Sequence, residues 1–147
     1  MPHAIFVLNV LSTAAMTGLI WFVQVVHYPL FARVGAAEFV RYEGAHTSLT
    51  GFVVIPFMLL ELATACALLW VRPEGFPLWA AWLGLGLVGL VWGSTFLLQV
   101  PQHEVLAGGF SANAHRLLVT TNWIRTAGWS ARTILLGWFL WKMLDAR

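Results

Sequence analysis

The sequence predicts an all-α protein, an integral membrane four-helix bundle with both termini on the same side. Two observations carry that prediction. The 147 residues are 60% hydrophobic and only 10% charged, whereas a soluble domain carries about 25% charged residues. The apolar residues also gather into four stretches, each reaching the roughly 20 residues that a spanning helix needs. Hydrocarbon offers the backbone no hydrogen-bond partners, so these stretches should be helical. The same composition excludes an ordinary cytosolic domain and a disordered tail. A net charge of +2, from 8 basic and 6 acidic residues, is too small a surplus to recruit nucleic acid by charge. A single cysteine, Cys66, excludes an internal disulfide and a multi-cysteine zinc site.

Taken in order, the first span is expected at about residues 4–31, because no Asp, Glu, Lys or Arg occurs between Pro2 and Ala32. It is too long for a secretory signal and lacks a basic leading region. The second span, about 48–71, is interrupted by Glu61, and the third covers about 77–100. The fourth, about 116–142, holds Arg125 and Arg132 and ends at Lys142. Together they form a single transmembrane domain, residues 1–147. Residues 72–76, Arg-Pro-Glu-Gly-Phe, read as a tight turn. Residues 32–47 and 101–115 read as longer connections that hold most remaining polar residues.

Basic residues divide evenly, with Arg72, Lys142 and Arg147 on the terminal side and Arg33, Arg41 and Arg116 on the other. The positive-inside rule therefore gives no orientation. Trp70, Trp79, Trp82, Trp138 and Trp141 all fall near the terminal side, where indole rings favour the lipid–water boundary. In the third span, Gly86, Gly89 and Gly93 form a small-residue face that includes a GxxxG pair. Such a face predicts close helix packing inside the bundle, with a homodimer contact as the alternative.

The informative residues are polar ones inside apolar spans. A charged side chain at a helix centre costs about 2.5–3.5 kcal/mol on the insertion scale, so it faces the protein interior and finds a partner. His115, Leu118, Asn122, Arg125, Trp129 and Arg132 recur at alternating spacings of three and four, which is one face of a helix. Glu61 and Arg132 both lie about 20–22 Å along their helices from the same end. An ion pair between them is predicted, either to fix helix register or to serve as counter-ion to a bound group. Arg125 lies nearer the long connections, at the level of Gln24, and the two are expected to meet with Asn122 beside them.

His27, His46, His103 and His115 fall toward that same end, near Tyr42 and Glu43. Neutral imidazole binds iron, copper or zinc and serves as an axial haem ligand. These four are therefore candidate metal ligands, with hydrogen-bonded structural histidines as the alternative. Glu43-x-x-His46 matches half of a di-iron bundle motif, and the second half is missing. Tyr42 and Glu43 are candidate catalytic proton donors. Arg125 would stabilise negative charge on a propionate, quinone oxygen or enolate. Gln24, Asn122, Arg132 and Glu61 complete the candidate cofactor-binding set. No Ser-His-Asp order, phosphate-cradling loop or nucleotide motif supports a hydrolase or ATPase.

Four spans in this length, with Asn122-Trp-Ile-Arg125-Thr126 in the last of them, resemble the anthrone-oxygenase-like family of small four-span bacterial membrane proteins. The resemblance implies an oxygenase or related membrane oxidoreductase in a bacterial inner membrane, with Asn122 and Arg125 carried over as site residues. The segments His27-Tyr28-Pro29 and Pro101-Gln102-His103 lie outside that pattern. The chain is also similar, in size and in its helix-borne histidines, to the four-span haem-binding protoporphyrinogen oxidase family. The expected function is thus a redox-type site near one membrane face that binds haem, a transition metal or a small lipophilic substrate such as a quinone. The alternative is a non-catalytic subunit of a larger membrane complex, docked through the Gly86/Gly89/Gly93 face. A proton-coupled carrier is disfavoured, since four spans without a repeat are few for a transporter.

Overall fold

The computed structural model describes residues 1–145, so Arg147, counted above among the basic residues, lies outside them. Four long helices make up the described residues: α1 (Pro2–Arg33), α2 (Ala36–Ala67), α3 (Leu78–Ala107) and α4 (Ala112–Asp145). No strand occurs among the described residues. Helices α1, α2 and α3 are long and apolar enough to cross a membrane. The fourth helix dilutes its apolar character with Arg116, Arg125, Arg132 and Lys142.

The helices outrun the apolar stretches. The expected connection at 32–47 shrinks to Val34 and Gly35, and that at 101–115 shrinks to residues 108–111. Hydropathy marks which side chains tolerate lipid, whereas the backbone ladder continues wherever nothing breaks it. The breaks fall at Gly35, extended at φ −62°, and at Gly109, whose φ of +140° suits a residue without a Cβ. The turn at 72–76 is present, with Gly75 at φ +84°. As a result Tyr42, Glu43, His46, His103 and His115 all stand on helices and point by helical geometry.

Two apolar clusters hold the helices together. One joins Phe6, Leu68, Phe76, Ala80, Leu136 and Phe139, so the start of α1, the α2–α3 turn and the end of α4 share one end of the bundle. Phe76 packs 4.9 Å from Phe6 and edge-on to Phe139 at 5.2 Å. The five tryptophans of that end are all exposed, as anchoring rings must be. The larger cluster lies toward the opposite end and includes Met16, Ile20, Tyr28, Phe31, Phe39, Leu118 and Trp129.

The glycine expectation needs correction. A Cβ at Gly86, Gly89 or Gly93 would meet nothing within 4 Å, so these residues do not pack the bundle. Helix α4 approaches α3 instead at Gly128, where a Cβ would lie 2.9 Å from Val91 Cγ2. The spacing of small residues shows where close approach is permitted, and the neighbouring helix decides where it happens.

Candidate functional site

Two buried polar clusters lie along the α4 stripe. In the first, Arg132 Nε donates to Glu61 Oε1 at 2.9 Å. The predicted ion pair is therefore present, with both residues fully buried. Trp129 Nε1 donates to Glu61 Oε2 and Thr13 Oγ1 to Oε1, at 2.9 and 2.7 Å. Arg132 Nη2 reaches Asn9 Oδ1 at 3.1 Å and Thr13 Oγ1 at 3.2 Å, and Nη1 donates to the Gly84 carbonyl. Four helices contribute, and no buried side-chain nitrogen or oxygen of this cluster lacks a partner. Glu61 and Arg132 thus spend their hydrogen-bonding capacity on the protein itself.

The second cluster is built by two widened turns. Residues Val23–His27 in α1 and Thr95–Gln99 in α3 are π-helical. Each is followed two residues later by proline, Pro29 and Pro101. A proline ring crowds the carbonyl four residues back. Here those carbonyls belong to Val25 and Leu97, both inside the widened turns, where an i→i+5 turn relieves the crowding. The bulges rotate the following side chains inward. Tyr28 OH then meets His103 Nε2 at 3.0 Å, and His103 Nδ1 meets Glu43 Oε1 at 2.5 Å. Glu43 is fully buried. A chain of hydroxyl, imidazole and carboxylate runs from α1 through α3 to α2. Beside it His27 Nε2 bonds His46 Nδ1 at 2.8 Å, and Thr50 Oγ1 lies 3.1 Å from the same nitrogen.

Arg125 differs from Arg132 in every respect that matters to a ligand. It is 6% exposed, forms no ion pair among the described residues, and its Nε has no hydrogen-bond partner. Its guanidinium lies 5.3 Å over the Trp129 ring and beside Tyr28. It forms, with Tyr28, the floor of a groove of about 480 Å³ between α2 and α3. Polar residues His46, Thr50, Gln99 and His103 line the groove at one end, and Val54, Ile55, Met58 and Phe96 line its apolar part. Ile55 and Phe96 are exposed on the flank of the bundle, so the groove opens sideways. Trp92 also lines it, and its buried indole N–H has no partner.

Several expectations shift accordingly. Gln24 does not pair with Arg125. Its Oε1 accepts from Asn122 Nδ2 at 2.9 Å, and its Nε2 donates to the Val119 carbonyl at 3.1 Å. The widened turn at residues 23–27 sets its direction. His115 stands apart from the other three histidines, with Nε2 bonded to the Tyr28 carbonyl at 2.8 Å. Tyr42 packs against the rings of His27 and Phe31 instead of joining the proton chain. Tyr28, one residue beyond His27, takes the position expected of it. His27, His46 and His103 do converge, but on one another and on Glu43, Tyr28 and Thr50. Among the described residues no group of three or more His, Cys, Asp or Glu is arranged to hold a metal ion. His27 Nε2 and His46 Nδ1 are engaged with each other, and both nitrogens of His103 are engaged by Tyr28 and Glu43.

Gln99 belongs to the polar residues at the histidine-rich end of the sequence, whereas Tyr28 and Trp92 carry no signal as site residues there. For Tyr28 and Gln99 the local mark is a proline close after a polar residue in an apolar stretch, as in His27-Tyr28-Pro29 and Gln99-Val100-Pro101. Gln99 is buried, accepting from Ser94 Oγ and donating to Thr121 Oγ1, both at 3.0 Å. No protein-family model, curated protein or solved structure matches the chain.

Proposed function

We propose that the protein is a four-span integral membrane enzyme, with both termini on one side, that takes a small lipophilic substrate from the bilayer into the α2–α3 groove. There it performs acid–base chemistry at an oxygen-bearing carbon centre. One observation carries this reading: the unpaired, buried Arg125 stands beside the Tyr28–His103–Glu43 chain in an otherwise apolar groove. Glu43 orients the His103 imidazole, His103 exchanges a proton with the Tyr28 hydroxyl, and Tyr28 presents that proton to the groove. Arg125 is preorganised to stabilise negative charge that develops on a substrate oxygen, and burial strengthens that effect. Run as a base, Tyr28 passes its hydroxyl proton to His103 Nε2, its phenolate oxygen takes the α-proton of a ketone, and the electron pair left behind forms an enolate whose oxygen Arg125 holds until a proton returns to carbon.

The test is deuterium uptake from heavy water into a lipophilic cyclic ketone, with the protein in lipid nanodiscs. Wild-type protein is expected to catalyse exchange, and Glu43→Gln and Tyr28→Phe to slow it by about 10²–10⁴-fold, the usual contribution of a general acid–base group. Equal exchange in all three proteins would refute the reading. A second reading rests on the outward glycines. Gly86 and Gly89 are exposed with open space above them, which suits a homodimer or a neighbouring subunit packed through that face. A single-copy mass for the protein in nanodiscs, isolated without partners, would remove it.

A further inference from the structure

The groove presents an imbalance that specifies its ligand. Its two orphaned polar atoms, Arg125 Nε and Trp92 Nε1, are both donors with nothing to accept from them. A buried donor without an acceptor is costly, and a buried cation without a counter-charge is costlier still. Arg132 shows what this fold supplies when it needs a guanidinium neutralised, namely a carboxylate at 2.9 Å. At Arg125 none is supplied. Glu43 lies outside the lining and is engaged by His103 through Oε1, with Oε2 left without a hydrogen-bond partner, and Glu104, the acidic residue of the lining, is exposed at the rim. From these donors outward the wall turns apolar along Val54, Ile55, Met58 and Phe96. A volume of about 480 Å³ lies within the range of roughly 300–1,000 Å³ typical of small-molecule sites.

We propose that the groove binds a lipophilic monoanion, a single carboxylate or equivalent oxygen anion on an apolar body. The head is held jointly by Arg125 and Trp92, and the body lies toward the bilayer along α2 and α3. This rests on the function proposed above, because a carboxylate stands in for the enolate oxygen that the groove would hold during reaction of a neutral ketone, and it commits to tighter binding of the anion than of neutral molecules and to Trp92 as a binding residue. A neutral alcohol of the same length leaves the guanidinium uncompensated, and an amine adds a second cation beside it. Both are rejected on electrostatic grounds.

The experiment compares decanoate, decanol and decylammonium as probes in equilibrium binding to the full chain in nanodiscs of neutral lipid. Empty nanodiscs are the blank for partition. Decanoate is expected to bind saturably and at least about tenfold more tightly than either other probe, close to what one charge-assisted hydrogen bond contributes. Arg125→Gln should bring decanoate down to the decanol level, and Trp92→Phe should weaken it by about threefold to tenfold. Trp70→Phe, exposed at the opposite end of the bundle, should bind decanoate as wild type does. Equal affinity for decanoate and decanol, or decanoate binding unchanged in both Arg125→Gln and Trp92→Phe, overturns the proposal. If Arg125→Gln does not fold, Trp92→Phe and the three-probe comparison on wild type still decide it. Decanoate binding without ketone exchange would sink the enzymatic reading alone. Exchange without selectivity for decanoate would sink this inference alone.

Discussion

Arg125 and Arg132 stand seven residues apart on one face of α4, about 10 Å or two turns along the axis. Both are buried, and their surroundings are opposite. Arg132 is enclosed by Glu61, Asn9, Thr13 and the Gly84 carbonyl. Arg125 has a tryptophan face, a groove and no counter-ion among the described residues. Both residues obey the rule that a charge in an apolar helix points inward. Only their partners separate a side chain that holds the bundle together from one that waits for a ligand. Two of the four orphaned buried polar atoms among the described residues line the groove, and Glu43 Oε2 belongs to the proton chain beside it. The Arg132 cluster has none. Three of the four thus gather at or beside the groove, the fourth being Asn122 Oδ1 beside Gln24, the pattern expected where strain is kept for function.

The most severe way to test this contrast is to remove the Arg132 counter-charge. Glu61→Gln leaves a buried guanidinium without compensation and is expected to destabilise the fold by about 3–5 kcal/mol. The loss should be visible as a lowered unfolding midpoint in detergent. Next comes Gly128→Ala, between the two arginines. Its new Cβ meets Val91 Cγ2 at 2.9 Å, and pushing α3 from α4 should cost about 1–3 kcal/mol by the same measurement. Arg125→Met should change stability by less than about 1 kcal/mol, and in either direction, because Arg125 holds no ion pair among the described residues and its neighbours Tyr28 and Trp129 keep hydrogen bonds to His103 and Glu61. A loss as large as that of Glu61→Gln would erase the distinction between the two arginines. The smallest effect is expected at Gly89, where nothing stands within 4 Å of an added Cβ. Gly89→Ala should leave stability within about 0.5 kcal/mol, as at other outward positions. A larger loss, together with a change in assembly size, would mark that face as an interface.

Part of the site could be read without coordinates. The alternating three-and-four spacing placed Asn122, Arg125, Trp129 and Arg132 on one face, and matched depths paired Glu61 with Arg132. Both inferences needed only the helical repeat and the high cost of charge in hydrocarbon. The histidines were harder. Their clustering toward one end was visible, but whether His46 would meet His27, His103 or a metal depends on rotations of a few tens of degrees. The two widened turns set those rotations. A tyrosine next to a histidine carries no signal in sequence until Pro29 and the bulge before it turn the Tyr28 side chain inward. Tyr42 stands beside Glu43 in the sequence, but its ring packs on His27 and Phe31.

The sequence by itself determined that the chain is helical, that α1 to α3 can cross a membrane, and that the α4 stripe faces its neighbours. Those properties follow from composition and period, which are local. The tertiary structure alone decided how far each helix runs past its apolar stretch, which glycine admits a neighbouring helix, and which arginine is left without an acceptor. Hydrogen-bond partners are settled over distances of tenths of an ångström between residues as far apart in the chain as Glu43 and His103. No pattern of spacing along a single helix can encode where its neighbour's side chain will stand.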